Sequence, residues 1–222
     1  AIAAEPNYYR SYINRGAAYA SQGLYDKALS DYNKVLEISP NNDRAYNLSG
    51  HVYYQENNFD WAISDYNRAI EIDPYFIDAY LNRGVAWKHK GEYGRAMNDY
   101  NKILKLNPKD AEAHYSIGVI YYEKGKYDSA ITEYDKTIEV NPGFADAYNG
   151  RGVAYKNIGQ YDKAIADFDK AIVINPSDET FYKNRGNAYY KKGLYEQAMF
   201  DYNKAIEINP KTPDCYLYLA KA

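Results

Sequence analysis

The 222 residues include 27 basic and 30 acidic ones interspersed along the chain, a net charge of −3 that excludes the basic patch or stripe of a nucleic-acid binder. Tyrosine (29 residues) supplies much of the 46% apolar fraction; mean hydropathy is −0.72, and no stretch nears the roughly 20 apolar residues of a membrane span. A single cysteine, Cys215, excludes an internal disulfide framework or a cysteine-rich zinc site and leaves the compartment open.

From the start, Ala1-Ile2-Ala3-Ala4-Glu5-Pro6 matches Ala205-Ile206-Glu207-Ile208-Asn209-Pro210, so residues 1–6 are expected to be the tail of a preceding repeat. Proline then returns every 34 residues without insertion, at Pro6, Pro40, Pro74, Pro108, Pro142, Pro176 and Pro210. Glycine keeps the register at Gly16, Gly50, Gly84, Gly118, Gly152 and Gly186, and alanine at Ala28, Ala62, Ala96, Ala130, Ala164 and Ala198. Aromatic residues recur at Tyr19, Tyr53, Trp87, Tyr121, Tyr155 and Tyr189, and again at Tyr32, Tyr66, Tyr100, Tyr134, Phe168 and Tyr202. A fixed period of this length marks a repeat architecture. The repeats are 7–40, 41–74, 75–108, 109–142, 143–176 and 177–210 of a single array over 1–222.

Each repeat predicts two helices. Tyr148, Tyr155 and Ile158 recur at helical spacing until Gly159, which accepts the left-handed backbone past a helix end. Gly23, Gly91, Gly125 and Gly193 serve likewise, and in the second repeat Asn57, the next most tolerant residue. A second helix begins near Asp162, presents Ala164, Ile165, Phe168, Ala171 and Ile172 on one face, and breaks at Asn175-Pro176. Small Gly152 and Ala164 predict a close helix approach, with Tyr155 and Phe168 packed around it. Residues 211–222 follow first-helix spacing as a partial repeat or closing helix, with apolar Tyr216, Leu217 and Leu219. Such ends predict a segment cut from a longer array, able to associate head-to-tail.

These signatures resemble the tetratricopeptide repeat (TPR) family, over essentially the whole chain. The resemblance implies an all-α, right-handed superhelical solenoid of antiparallel helix pairs that binds a protein or extended peptide in a concave groove. One departure is Arg15, Arg83, Arg151 and Arg185, where the family usually has Leu; each is expected to reach Asp31, Asp99, Asp167 or Asp201 on the following helix. Asp65, Asp99, Asp167 and Asp201 are also followed three residues later by Arg68, Lys102, Lys170 and Lys204, the spacing of a solvated, mutually compensating face.

By the same resemblance the first helices line the groove. The candidate lining is Arg10 and Asn14 in the first repeat, Arg44, Asn47, His51 and Tyr54 in the second, and Asn82 and Lys88 in the third. Tyr115 and Tyr122 follow in the fourth, Asn149 and Lys156 in the fifth, and Lys183, Asn184, Asn187 and Tyr190 in the sixth. An amide side chain both donates and accepts, so Asn14, Asn47, Asn82, Asn149 and Asn184 form a ladder able to bond an extended backbone without reading its sequence. The bland reading is a solvated helix surface. With Lys191, the basic residues of this lining outnumber its acids Asp78, Glu112, Glu123 and Asp146, which suits a partner segment of apolar side chains and modest negative charge.

The carboxylate clamp of co-chaperone members is matched by Lys183 and Asn187, but the next first helix offers Tyr218 where asparagine is needed. His51, His89 and His114 lie on different repeats without the spacing of a zinc helix, and His114 replaces a core tyrosine. Glycines recur singly, never as a phosphate loop. Neither enzyme activity nor cofactor is expected. The alternatives to a binding scaffold are the substrate-recognition region of a larger enzyme and a self-assembling array.

Overall fold

The computed structural model describes residues 8–211, all in helices and the turns between them. The expectations resting on residues 1–6, on Cys215 and on Tyr216 to Leu219 lie outside the described residues. The chain divides into two compact units, the first ending at Pro108 and the second beginning at Lys109. Unit 1 holds three packed pairs: α1 (Tyr9–Ser21) with α2 (Tyr25–Ile38), α3 (Asp43–Gln55) with α4 (Phe59–Ile72), and α5 (Ile77–His89) with α6 (Tyr93–Leu106). Unit 2 repeats this with α7 (Ala111–Glu123) and α8 (Tyr127–Val140), α9 (Ala145–Asn157) and α10 (Tyr161–Ile174), and α11 (Glu179–Lys192) and α12 (Tyr195–Ile208). No helix among the described residues is long and apolar enough to cross a membrane.

The punctuation follows local chemistry. Asn57 (φ 60°) and Gly159 (φ 77°) take the left-handed backbone between first and second helix. The Gln160 amide then donates to the Tyr155 carbonyl (2.9 Å), capping the end of α9. Each second helix stops at an extended residue before proline, such as Asn175 (φ −133°, ψ 90°), because the proline ring disfavours helical backbone in the residue before it. Asn42 and Asp110 accept from the Ala45 and Ala113 amides (2.9 and 3.0 Å) and so start α3 and α7.

Within a pair, the repeated alanine is fully buried and the second-helix aromatic ring lies against the repeated glycine. A Cβ on Gly152 would sit 2.7 Å from Cε1 of Phe168. The ring itself therefore fills the space the missing side chain leaves, and at Gly50 and Gly186 the alanine carbonyl also comes close (3.1 and 3.3 Å). Tyr155, expected beside this contact, is half-buried with Lys163 Nζ 5.3 Å from its ring centre, a cation–π contact.

The arginines pair as the sequence predicts. Nε and Nη2 of Arg15, Arg83, Arg151 and Arg185 grip both oxygens of Asp31, Asp99, Asp167 and Asp201 at 2.5–2.9 Å. Nη1 of the last three donates to Asn67, Asp135 or Asp169 on the preceding second helix (2.5–2.6 Å), tying one repeat to the next. Asp31, Asp99, Asp167 and Asp201 are buried, so the reading of Asp99, Asp167 and Asp201 as a solvated face is wrong. The flanking cations face elsewhere: Arg68 pairs with Glu71 (2.6 Å) and Lys204 with Glu207 (2.9 Å). Where the arginine is missing, another donor serves. Ser49 bonds Asp65, and His114 Nδ1 lies 2.7 Å from Glu133 Oε2, so this buried histidine does more than fill space.

Candidate functional site

The first helices of each unit pack side by side, α1 on α3 on α5 and α7 on α9 on α11. On this face the asparagines fall into two registers, Asn47 and Asn149 preceding by one position the register of Asn14, Asn82 and Asn184. That offset brings residues 35 apart together. Asn82 Nδ2 donates to Asn47 Oδ1 (3.0 Å) in unit 1, and Asn184 Nδ2 to Asn149 Oδ1 (2.8 Å) in unit 2. The amides bond one another as one rung per unit, with Asn14 exposed on α1. Each rung leaves further donors and acceptors on its two amides. Asn47 is buried, while Asn82, Asn149 and Asn184 are half-buried.

The same 35-residue step joins Asn157 Nδ2 to the Tyr122 hydroxyl (3.0 Å) and sets Tyr54 edge-on to His89, 5.4 Å between ring centres. Tyr54 also meets His51 (6.4 Å) and Phe59 (5.6 Å), so a tyrosine ring stands between the two histidines. Phe59, missed from sequence because it opens a second helix, stacks on His89 at 5.6 Å. Tyr122 and Tyr190 lean on Tyr127 and Tyr195 in the same manner, 5.6 and 5.4 Å away. These tyrosines are partly structural, bracing the turn between their own two helices. Tyr115 packs on Phe144 (5.0 Å), and burial, with Asp146 and Glu112 nearby, pushes its hydroxyl up to about 12. Asn187 accepts from the Tyr202 hydroxyl (2.9 Å) and so belongs as much to the core as to the face.

On the face of unit 2, Glu112 and Asp146 stand in first turns and Lys156 and Lys191 in last turns, while Glu123 closes α7 and Lys183 lies early in α11. Near the helix starts, burial and mutual repulsion raise the pKa of Glu112, which feels Asp110 and Asp146, and of Asp146, which feels Asp178. Lys156, in the last turn of α9, is half-buried; burial first, then Lys183 and Lys191, lower its pKa. In unit 1, Lys88 is half-buried and Arg10, Arg44 and His51 are exposed. There a cavity of about 390 Å³ opens between α1 and α3, lined by Ala17, Ala20, Tyr25, Leu48, His51 and Val52 among others. Ala20 stands where the other repeats carry Tyr54, Lys88, Tyr122, Lys156 and Tyr190, and the missing bulk leaves this opening.

Residues 50–89, 88–125 and 118–159 match the profile of the TPR repeat, and residues 9–42, 145–178 and 180–212 that of the tetratricopeptide repeat. Among solved structures, the chain is similar to MamA, with 30% identity, 74% of this chain and 96% of that one covered, and a TM-score of 0.64. It is similar in fold to a chain of the APC/C hetero-tetramer Cut9-Hcn1 (19% identity, TM-score 0.85), covering 99% of this chain but spanning only 43% of that one. A third likeness is to YrrB, described as a TPR protein with an unusual peptide-binding site (22% identity, 86% and 98% covered, TM-score 0.63). No curated protein sequence matches.

Proposed function

As a member of the tetratricopeptide repeat family this chain is a protein-interaction scaffold, and we propose that it holds an extended segment of a partner polypeptide along the first-helix face of its repeats. The observation that carries this reading is the paired amides. Asn47–Asn82 and Asn149–Asn184 are each held in place by their mutual bond, and the donors and acceptors left over are those a peptide backbone needs. Orienting these groups before a ligand arrives lowers the ordering cost of binding. Tyr54, Tyr115, Tyr122 and Tyr190 add amphipathic rings beside them, the kind of side chain enriched at interfaces. The likeness to YrrB, itself described as having a peptide-binding site, supports the same reading.

The test is selection of peptides from a displayed random library by the full chain, followed by competition. Peptides selected by the wild type are expected to lose binding to a Lys88→Glu, Tyr122→Ala, Tyr190→Ala variant and to keep it with Lys105→Ala, which changes a second helix. Equal binding to both variants, or no enrichment at all, would sink the groove assignment.

A further inference from the structure

Lys156, Lys183 and Lys191 lie on two packed helices, Lys156 in the last turn of α9, Lys191 in the last turn of α11 and Lys183 two turns before it. Lys156 and Lys183 are half-buried and Lys191 is exposed. Ion pairs of unit 2 engage Arg151, Arg185, Lys136, Lys192 and Lys204 among others; among the described residues none engages these three lysines. The acid that comes nearest to serving, Glu179, is influenced by Lys183, yet its carboxylate accepts from Asn209 Nδ2 (2.9 Å). Of the remaining acids of this face, Glu112 and Asp146 lie in the first turns of α7 and α9, away from Lys156 and Lys191, and Glu123, the last residue of α7, forms no ion pair with any of the three lysines. A helix C-terminus favours a cation in its last turn, which accounts for one lysine on each helix. It does not account for Lys183 or for a half-buried ammonium flanked by like charges.

We infer that this lysine cluster is an anion site that takes the carboxylates of an acidic side-chain cluster, Asp or Glu, in the partner segment held on the α9–α11 face. The inference rests on the groove reading and adds to it the chemistry of the partner. An acidic segment would complete the charge pattern of the unit: its carboxylates meet Lys156, Lys183 and Lys191, while its backbone reaches the Asn149–Asn184 rung on the same two helices. The desolvated surroundings of Lys156 strengthen its attraction for a carboxylate beyond that of an exposed lysine, because water screens the pair less. In ligand-free protein the same surroundings make its charge unfavourable, as the lowered pKa records.

Two measurements on the full chain test this. The first is fluorescence anisotropy with a labelled extended peptide bearing a short Asp/Glu cluster, compared with the same peptide carrying Asn/Gln. The acidic peptide is expected to bind about tenfold more tightly. Lys156→Gln and Lys183→Gln are each expected to weaken it by about tenfold and to flatten its salt dependence. The second is the urea midpoint of Lys156→Gln without ligand, expected to equal or exceed that of the wild type, since the change removes a repelled charge and keeps the Cβ–Cδ stem. Equal binding of the acidic and amide peptides, or of wild type and lysine variants, would overturn the anion site while leaving the groove reading intact, provided library-selected peptides still bind. A lower midpoint for Lys156→Gln would overturn it by marking the lysine as structural. Displacement of the acidic peptide by equimolar inorganic phosphate would overturn the peptide assignment in favour of a phosphoryl ligand. Failure of every selected peptide to bind is a failure of the groove reading itself.

Discussion

Arg185 ties three helices with one guanidinium: Nε and Nη2 to Asp201 on α12, Nη1 to Asp169 on α10, with its own stem on α11. Asp201 is 1% exposed, so this is not a surface ion pair of negligible worth. Removing one partner of a buried pair strands the other, at a cost of about 3–5 kcal/mol. Asp201→Ala is therefore expected to lose about that much stability in urea unfolding. The double change Arg185→Leu, Asp201→Leu should lose less, because no charge is left without a partner. A single-variant loss within experimental error would mean that the pair adds nothing. At this scale the sequence told half the story. The Arg-to-Asp step of 16 residues forward recurs and is readable, whereas the bond 16 residues back, to the preceding repeat, depends on how closely a first helix packs on the second helix before it. The same buried geometry defeats the solvated reading of Asp167 and Asp201, whose neighbouring lysines are irrelevant to them.

Within an element the informative pair is Gly118 and Gly94. Both are helical glycines, and intrinsic propensity alone would favour alanine at either by about 1 kcal/mol. Gly118 faces the buried ring of Tyr134, whose Cε1 would lie 2.7 Å from a new Cβ, while Gly94 in the first turn of α6 has open space. Gly118→Ala is expected to destabilise by about 1–3 kcal/mol, since a buried ring has nowhere to move. Gly94→Ala should stabilise by about 0.5–1 kcal/mol, and thermal melts of the two variants should shift in opposite directions. Melts that both rise would show that the Tyr134 ring yields freely. Helix existence, ends and core positions were legible because period and punctuation act locally. The asparagine rungs were not, because a register shift of one residue between neighbouring repeats gains its meaning only from the stacking of the first helices.

Across the molecule, tyrosine dominates the response to alkali. Burial raises the hydroxyl pKa of Tyr32, Tyr66 and Tyr134, and that of Tyr115 to about 12. A folded-state pKa above the unfolded value of roughly 10 means the native state holds more protons than the unfolded chain in that range. Their contribution is fully present below roughly pH 10 and is lost as pH rises toward the folded values. Lys156 acts in the opposite sense: its lowered pKa penalises folding at neutral pH, and the penalty is relieved as pH climbs toward 10.5. Several tyrosines against one lysine decide the sign. The melting temperature should fall between about pH 10 and 12, with buried tyrosines ionising only as helicity is lost in a combined absorbance and circular-dichroism titration. A melting temperature unchanged across that range, or full tyrosine ionisation with helices intact, would contradict the burial of these rings.

By itself, the sequence determined the 34-residue period, the twelve described helices, the residues that stop them and the alanine–aromatic core, because these depend on backbone preference and on which side chains recur. The tertiary structure alone decided which polar groups are consumed inside the array and which are left over. Asn47 and Asn82 bond each other, Tyr54 braces Phe59, and Lys156 is left half-buried without an ion-pair partner, although Asn47, Asn82, Tyr54 and Lys156 all resemble ordinary helix-surface residues in the sequence. The reason is physical. Burial and hydrogen bonding on this face are set between neighbouring repeats, by residues such as Asn47 and Asn82 that are 35 positions apart, and only their packing separates a satisfied amide from an available one.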